Sequence, residues 1–566
     1  MNTSAIFSTA QPKKYRLRIA RVIACSFLLA LPACRIPKLG HAESGSVLPA
    51  SFPGMTGSSG AATSVTPRQL ALGSALGSAA LAGWMAKDGR VAEPAGSDSS
   101  AQLGVEEFYQ DPILTRLIRQ GVAGNRELKM LEQEVQIANS EVLARRGAYL
   151  PLASIIAGAG TEKTSRFTRE GAVEDQLTVA PGQAFPIPLP MYRTSIDFTW
   201  RLDIWRSLRN ARDAAEQRYI ATVERRNAFV TRLVADIAEN YYRLVSLDQR
   251  LDTLDKTIAL QQQSLEASMR LKLGGRVTEL PVQRFQAEVR KNQSEKLLVA
   301  QDIVEAGNRI NALINRYPEP VERISTQAFF DLNIHALSAG VPSQLLQNRP
   351  DIRQAERELI AAGLEVKSVR ARFYPDFTIT AGIGYQAFNP AFLFTSPEAL
   401  IANVAGGVVA PLINKKAIQA DYLTANARQL ASIYNYQRVV LNAFTEVVNR
   451  LALLENTRKS IEIKTQQLEA LVASVDIAGR LFLTARVEYV EVLLAQRDLQ
   501  EARSALIQIK FQQLSGVVNA YQALGGGNVF AGPIPSSLRR PATYWPTLQE
   551  FLHPGFYPHT RREVTQ

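Results

Sequence analysis

Residues 370–386, RARFYPDFTITAGIGYQ, pass from charged, helix-like sequence through a proline into alternating small, apolar and hydroxyl residues. Residues 145–160, RRGAYLPLASIIAGAG, make the same passage. At an offset of 224, Pro151 falls on Pro375, Ile155 on Ile379, Ala157 on Ala381, Gly158 on Gly382 and Gly160 on Gly384. Proline disfavours helix in the residue before it, so each copy marks the point where a helix yields to a strand. A chain that makes this exit twice carries an internal duplication.

The duplication extends to long helical stretches. Residues 206–273 contain 68 positions without Gly or Pro, and residues 414–478 contain 65 more. At 1.5 Å per residue each would span roughly 100 Å, far beyond an ordinary helix. In the first, Val230, Leu233, Ile237, Tyr241, Leu244, Leu247, Leu251, Leu254 and Ile258 recur at a mean step of 3.5, the coiled-coil period. These are rods that must pack side by side. Each turns back, at LGGRVTELPV and at LTARVEYVEV; an offset of 210 sets Arg270 on Arg480, Leu273 on Leu483, Arg276 on Arg486 and Val277 on Val487.

Before each rod lies an alternating segment. SIDFTWRLDIW puts Ile196, Phe198, Trp200, Leu202 and Ile204 on one face and Asp197, Thr199, Arg201 and Asp203 on the other. Its counterpart, LIANVAGGVVAPLI, alternates more weakly. Each repeat reads helix, strand, loop, strand, rod, tip, return helix.

Other classes fall away. The net charge of +12 suggests nucleic acid, but the basic residues form no patch with interleaved aromatics, and many sit in the leader. Both cysteines, Cys25 and Cys34, precede the folded body, and the four histidines are scattered, so no disulfide framework, metal site, cofactor site or catalytic constellation is visible. The leader is basic, then VIACSFLLAL, an apolar run too short to span a bilayer and suited to export. It ends in LPAC, resembling a lipobox that would make Cys34 a lipidated first residue; cleavage after Ala42 is the alternative. The expected organisation is an export signal over 1–33, a Ser/Gly/Ala-rich tether over 34–105, repeats over 106–318 and 319–527, and a tail over 528–566. ALGSALGSAALAGWMA within the tether is apolar enough for a short helix.

Strands with one apolar and one polar face, in an exported chain, fit the wall of an outer-membrane barrel. Four strands cannot close one, and an open edge in lipid leaves backbone groups unpaired. Several copies must share the barrel, eight strands from two or twelve from three.

The stretches NRPDIRQAERELIAA, RARFYPDFTIT, FTWRLDIW, ARVEYVEVLLAQRDL and YQALGGG together resemble the outer-membrane efflux protein (TolC) family, in the lipoprotein branch serving resistance-nodulation-division pumps. The resemblance runs from about residue 107 to 527. It implies a mainly α fold with a membrane β-barrel portion, a homotrimer with a twelve-stranded barrel and a helical tunnel across the periplasm. It also implies a passive drug or small-molecule conduit, not an enzyme, with a periplasmic adaptor and an inner-membrane transporter as partners. The outlet of a type I protein secretion system shares this architecture and is the alternative. The chain departs from the family in its long tether, its tail and the long loop over 162–193.

In NRPDI, Pro350 suits a first helical position and Asp351 complements the helix N-terminus, a structural start. Gly274 and Gly275 supply a reversal, while Arg276, Val277, Thr278 and Glu279 are placed for the adaptor contact that the resemblance implies. At the second tip the resemblance implies acidic side chains ringing a closed mouth. Val487 stands where relatives carry the aspartate, with Glu488 beside it and Glu491 a turn further; Arg486 would pair with a neighbouring carboxylate. The alternative is a solvated charged face.

Overall fold

The computed structural model describes residues 100–527 except 181, 333–339, 341, 412–414 and 485, together with 36, 37, 39, 40, 48 and 49. The export signal, Cys34, the tether helix and the tail lie outside the described residues.

The chain runs α1 (Val105–Tyr109), α2 (Pro112–Gly124), α3 (Arg126–Gly147), β1 (Leu152–Glu162), a connection holding α4 (Arg169–Glu174), β2 (Thr178–Ala180) and β3 (Gln183–Ala184), then β4 (Leu189–Leu202), the rod α5 (Ser207–Leu273) and its return α6 (Glu279–Leu313). The second repeat runs α7 (Leu345–Asn348), α8 (Pro350–Ala371), β5 (Asp376–Ala387), β6 (Leu400–Val409), the rod α9 (Lys416–Leu483) and its return α10 (Tyr489–Ala523). α3 and α8 are both 22 residues long and α6 and α10 both 35. Residues 163–188 join β1 to β4, whereas only 388–399 join β5 to β6; this fourteen-residue difference accounts for the offset falling from 224 to 210.

Four boundaries differ from the sequence reading. β4 begins at Leu189, inside the stretch read as loop, and ends at Leu202, so Asp203 and Ile204 are not in the sheet. Asp203 instead accepts from the Leu208 and Arg209 amides at 3.0 and 2.9 Å, satisfying donors that a helix start leaves open. Arg206 takes a left-handed φ of 58° before α5, so the rod starts at Ser207. α9, by contrast, runs through Gly479 to Leu483, where the second tip was expected, because one glycine costs a long packed helix only about 1 kcal/mol. Packed chain is present from Ser100, before the expected end of the tether at 105.

The strands form one antiparallel sheet in the order β1-β4-β5-β6. The main core lies about half-way along the rods, where α1 and α2 pack on α5 around Phe108, Leu114, Ile118, Leu233, Ile237 and Tyr241. Phe108 stacks on Tyr521 at 3.8 Å, and the Tyr521 hydroxyl donates to the Leu103 carbonyl at 2.6 Å. Asp111 caps α2 and accepts from the Tyr241 hydroxyl at 2.9 Å. Burial pushes the Tyr521 phenol up to about 12 and raises Tyr241 and Tyr242 further.

Candidate functional site

Cross-strand partners share a face of a sheet, and the register sorts this sheet by polarity. Ile155 opposes Ile196, Ile196 opposes Ile383, Trp200 opposes Ile379, Leu202 opposes Phe377 and Phe377 opposes Val408, all on one face. The other face carries Ser154 with Asp197, Thr199 with Thr380, Arg201 with Thr378 and Asp376 with Val409. Two ion pairs lie on the polar face, Arg193 with Asp197 at 3.4 Å and Arg201 with Asp376 at 2.7 Å. On the apolar face Ile155 is 78% and Val404 81% exposed, which needs a cover that the described residues do not supply.

Among the described residues both outer strands, β1 and β6, are open edges. The glycines of the opening motif differ in their surroundings. A Cβ on Gly384 would meet the Thr194 carbonyl at 2.2 Å, and one on Gly382 would lie 2.6 Å from both Asp197 and Asn403 oxygens. Their counterparts on β1, Gly158 and Gly160, have nothing within 4 Å. Where the strands meet the helices, the Trp200 indole N–H donates to the Tyr149 carbonyl at 3.0 Å and that of Trp205 to the Pro375 carbonyl at 2.8 Å. Amphipathic rings of this kind sit at membrane interfaces.

The rods carry the second part of the site at their far ends. At the first tip Gly275 has φ 71°, the left-handed conformation glycine adopts freely, whereas Gly274 has φ −76° and needs no glycine. Lys272 pairs with Glu279 across the turn, and Gln283 donates to Glu279 at 2.8 Å. The Lys272 and Gln283 hydrogen bonds hold the Glu279 carboxyl below its usual range. Arg276, Thr278 and Glu279 are exposed and Val277 is half-buried. The second tip repeats the turn, with the Arg486 amide donating to the Leu481 carbonyl at 3.0 Å as the Arg276 amide does to Leu271 at 2.9 Å. Arg486, Glu488 and Glu491 are exposed, and Arg486 makes no ion pair among the described residues.

Val277 and Val487 each precede an N-cap residue, Thr278 or Glu488, and Val282 and Val492 sit four positions into the helices that follow. These are the positions of a hydrophobic staple, which fixes the angle at which the chain enters a helix. A valine at 487 therefore has a turn to build. Sequence reasoning, occupied with the acidic position, missed this, although the matched V…V spacing in both tips signals it.

The two tips are brought together. Phe285 and Phe482, with ring centroids 6.3 Å apart, and Val492 form a buried cluster between the hairpins. Further along lies a buried polar layer. Gln496 donates to the Ser264 hydroxyl at 2.8 Å, Asn292 to Gln261 at 2.8 Å, and Gln500 to Asn292 at 3.4 Å. Among the described residues no helix is long and apolar enough to cross a membrane, and no cluster of His, Cys, Asp and Glu could hold a metal ion.

A sheet with a lipid-suited face and a water-suited face, carrying two long hairpins, belongs to a membrane channel protein whose rods project from the bilayer. The model of the family described as outer membrane efflux protein matches residues 117–316 and 341–526, and the chain belongs to that family. It is 27% identical over 431 residues to the cation efflux system protein CusC of Escherichia coli O6:H1, covering 76% of this chain and 90% of that one. It is 24% identical to SilC of Salmonella typhimurium, described as "Probable outer membrane lipoprotein", over 76% of this chain and 89% of the relative. The open-state structure of the Neisseria gonorrhoeae MtrE outer membrane channel matches with a TM-score of 0.69 at 21% identity, over 87% of this chain and 98% of that chain, which establishes the shared fold. The family is one of transport proteins, not enzymes, and its place is the outer membrane.

Proposed function

We propose that three copies of this chain close a twelve-stranded barrel, β6 of one copy pairing with β1 of the next, above a tunnel of helical rods. The carrying observation is the sheet: its faces separate by polarity and, among the described residues, both its edges are open. The channel is the outer-membrane component of a tripartite efflux pump, passing small molecules, with drive supplied through a periplasmic adaptor by an inner-membrane resistance-nodulation-division transporter. CusC, a cation efflux protein by name, supports that class. Arg276, Thr278 and Glu279 are the adaptor contact at the first tip; Arg486, Glu488 and Glu491 form the periplasmic gate at the second.

Lipidation at Cys34 fits this reading better than cleavage after Ala42. Ile36 and Leu39 pack against the cluster of Val366, Phe373, Tyr422 and Ala425 where the helices approach the sheet, and a Cβ on Gly40 would lie 3.5 Å from Leu430. Cleavage after Ala42 would remove these residues and uncover that groove. The deciding experiment is the mass of the detergent-extracted complex together with its conductance in a planar bilayer. A trimer mass with discrete conductance steps is expected; a monomer without conductance overturns the reading.

A further inference from the structure

A cavity of about 410 Å³ is lined by α5, α9, α10 and Phe330 of the segment that joins the two repeats. That size falls within the roughly 300–1,000 Å³ of small-molecule pockets. Leu468, Leu506, Ile507 and Phe330 give it an apolar wall. Leu506 and Ile507 are buried, and Phe330 is held edge to face, 5.1 Å between ring centroids, by the fully buried Phe329. All the described lining belongs to one chain, so each copy carries its own cavity.

Arg503 stands apart in that lining. It is half-buried and makes no hydrogen bond or ion pair among the described residues. Burial disfavours its charge and lowers its pKa, with no described acid to offset the effect. The nearby acids are engaged elsewhere: Asp252, on the same cavity, pairs with Lys256 at 2.7 Å, and the charge of Asp331 acts on Lys510. The threonine hydroxyls on the cavity donate to their own helices, Thr253 to the Gln249 carbonyl and Thr465 to the Ile461 carbonyl, both at 2.9 Å. They therefore have no proton to offer a guest. The uncommitted charged donor on the cavity is the Arg503 guanidinium.

We propose that this cavity binds an amphipathic organic monoanion, a carboxylate with an apolar body, anchored on Arg503. The planar guanidinium takes both oxygens of a carboxylate, which gives a partner to a charge that burial leaves uncompensated. The body of the guest lies against Leu468, Leu506, Ile507 and Phe330 and removes that wall from water. The other charges on the cavity set the charge of the guest. A dianion would bring a second negative charge toward Asp252, and a cation would meet Arg503 and Lys256. An inorganic anion could satisfy Arg503 but would leave the apolar wall wet. One anionic head on one apolar body meets all of these conditions together.

The test is native mass spectrometry of the full-length protein released from detergent, titrated with sodium decanoate. Decan-1-ol and decyltrimethylammonium are the matched probes without the negative charge, and inorganic phosphate is the anion without the apolar body. Decanoate should saturate at one molecule per copy, and the three other probes should bind at least tenfold more weakly. Arg503→Gln, which keeps most of the side-chain bulk, should weaken decanoate binding at least tenfold and bring it to the level of decan-1-ol. Thr465→Trp at an exposed position on the cavity fills the space without touching the charge, and should lower occupancy as well. It serves as the deciding variant if Arg503→Gln does not assemble. Decanoate and decan-1-ol binding alike in the unaltered protein overturns the site, as does unchanged decanoate binding in either variant. Decanoate held by a protein that is monomeric overturns the trimer and leaves the site standing.

Discussion

Arg349 donates to Glu446 of α9 at 2.9 Å and, from the same nitrogen, to the Ala523 carbonyl at the end of α10 at 2.7 Å. Its other nitrogens hold both oxygens of Asp351 at 3.0 and 2.8 Å. One guanidinium thus joins the start of α8 to two other helices, with 12% of the side chain exposed. Burial alone would lower the Arg349 pKa, but the bonds to Asp351 and the charge of Glu446 outweigh it and raise it. Arg349→Ala should destabilise the assembled protein by about 1.5–3 kcal/mol, the worth of hydrogen bonds to charged groups. Arg349→Lys should recover only part, since an ammonium cannot reproduce the planar fork. Thermal dissociation of the detergent-solubilised complex measures both, and an unchanged transition in Arg349→Ala would remove the clamp from this account.

The facing of the sheet gives a second test. Phe198 opposes Ala381 on the apolar face, whereas Thr199 opposes Thr380 on the polar one. Phe198→Arg places a charge on lipid at a cost of about 2–4 kcal/mol near the midplane. Thr199→Arg places it toward water and should assemble. Outer-membrane fractionation of the two variants checks this, and equal assembly contradicts the assigned faces.

How much of this was legible in the chain depends on the scale of the signal. The rods and strands could be read because their periods run over many residues and occur twice, so Ile196 to Leu202 declares a face with no knowledge of its neighbours. Boundaries were less legible. Asp203 and Ile204 continue the alternation on paper, but Asp203 is taken by the amides that open α5. Arg349 was passed over for Pro350 and Asp351 beside it, because its partners lie 97 and 174 residues away. The polar layer was hidden for a related reason. Gln261, Asn292 and Gln496 look like surface residues until two hairpins are packed together.

The N-terminal groove gives a third test. Cys34→Ser should abolish incorporation of labelled palmitate into the mature protein. Leu39→Asp, which puts a charge into the cluster around Phe373 and Tyr422, should leave labelling intact and loosen only the following segment, seen as faster proteolysis near residue 40. A mature N-terminus at Glu43 rejects both expectations.

Alkaline pH probes the core at the middle of the rods. An ordinary tyrosine ionises near 10, whereas Tyr521 is pushed up to about 12 because burial disfavours the phenolate. A raised folded pKa means that this contribution is fully present below about 10 and is lost as pH rises through about 12. Stability should therefore be level through neutral pH and fall between these values. Tyr521→Phe should soften that fall while losing the bond to Leu103, at a cost of about 0.5–1.5 kcal/mol at neutral pH. Tyrosinate absorbance and thermal dissociation, measured together, follow the transition; a core tyrosine titrating near 10 in the folded protein contradicts the burial described here.

The gate gives the last test. Arg486 is exposed, has no ion pair among the described residues, and sits beside the exposed Glu488. Its equivalent at the first tip, Arg276, turns the chain in the same way and likewise makes no ion pair among the described residues. In a trimer, three copies of Glu488 and Glu491 near the axis repel one another, and the mouth needs an opposing contact to stay shut. Arg486 is placed to supply it by pairing with a carboxylate of the next copy. Such a pair near water contributes only about 0.2–1 kcal/mol, too little to hold an assembly together but enough for three latches that an adaptor must release. Arg486→Glu should therefore raise resting conductance and sensitivity to large antibiotics such as vancomycin with no loss of trimer. Replacing Glu488 and Glu491 by Gln should reduce cation preference, since rings of carboxylates attract cations. Single-channel recordings in which stable trimers of both variants behave like the parent protein would assign these charges to a solvated face and place the constriction elsewhere along the tunnel.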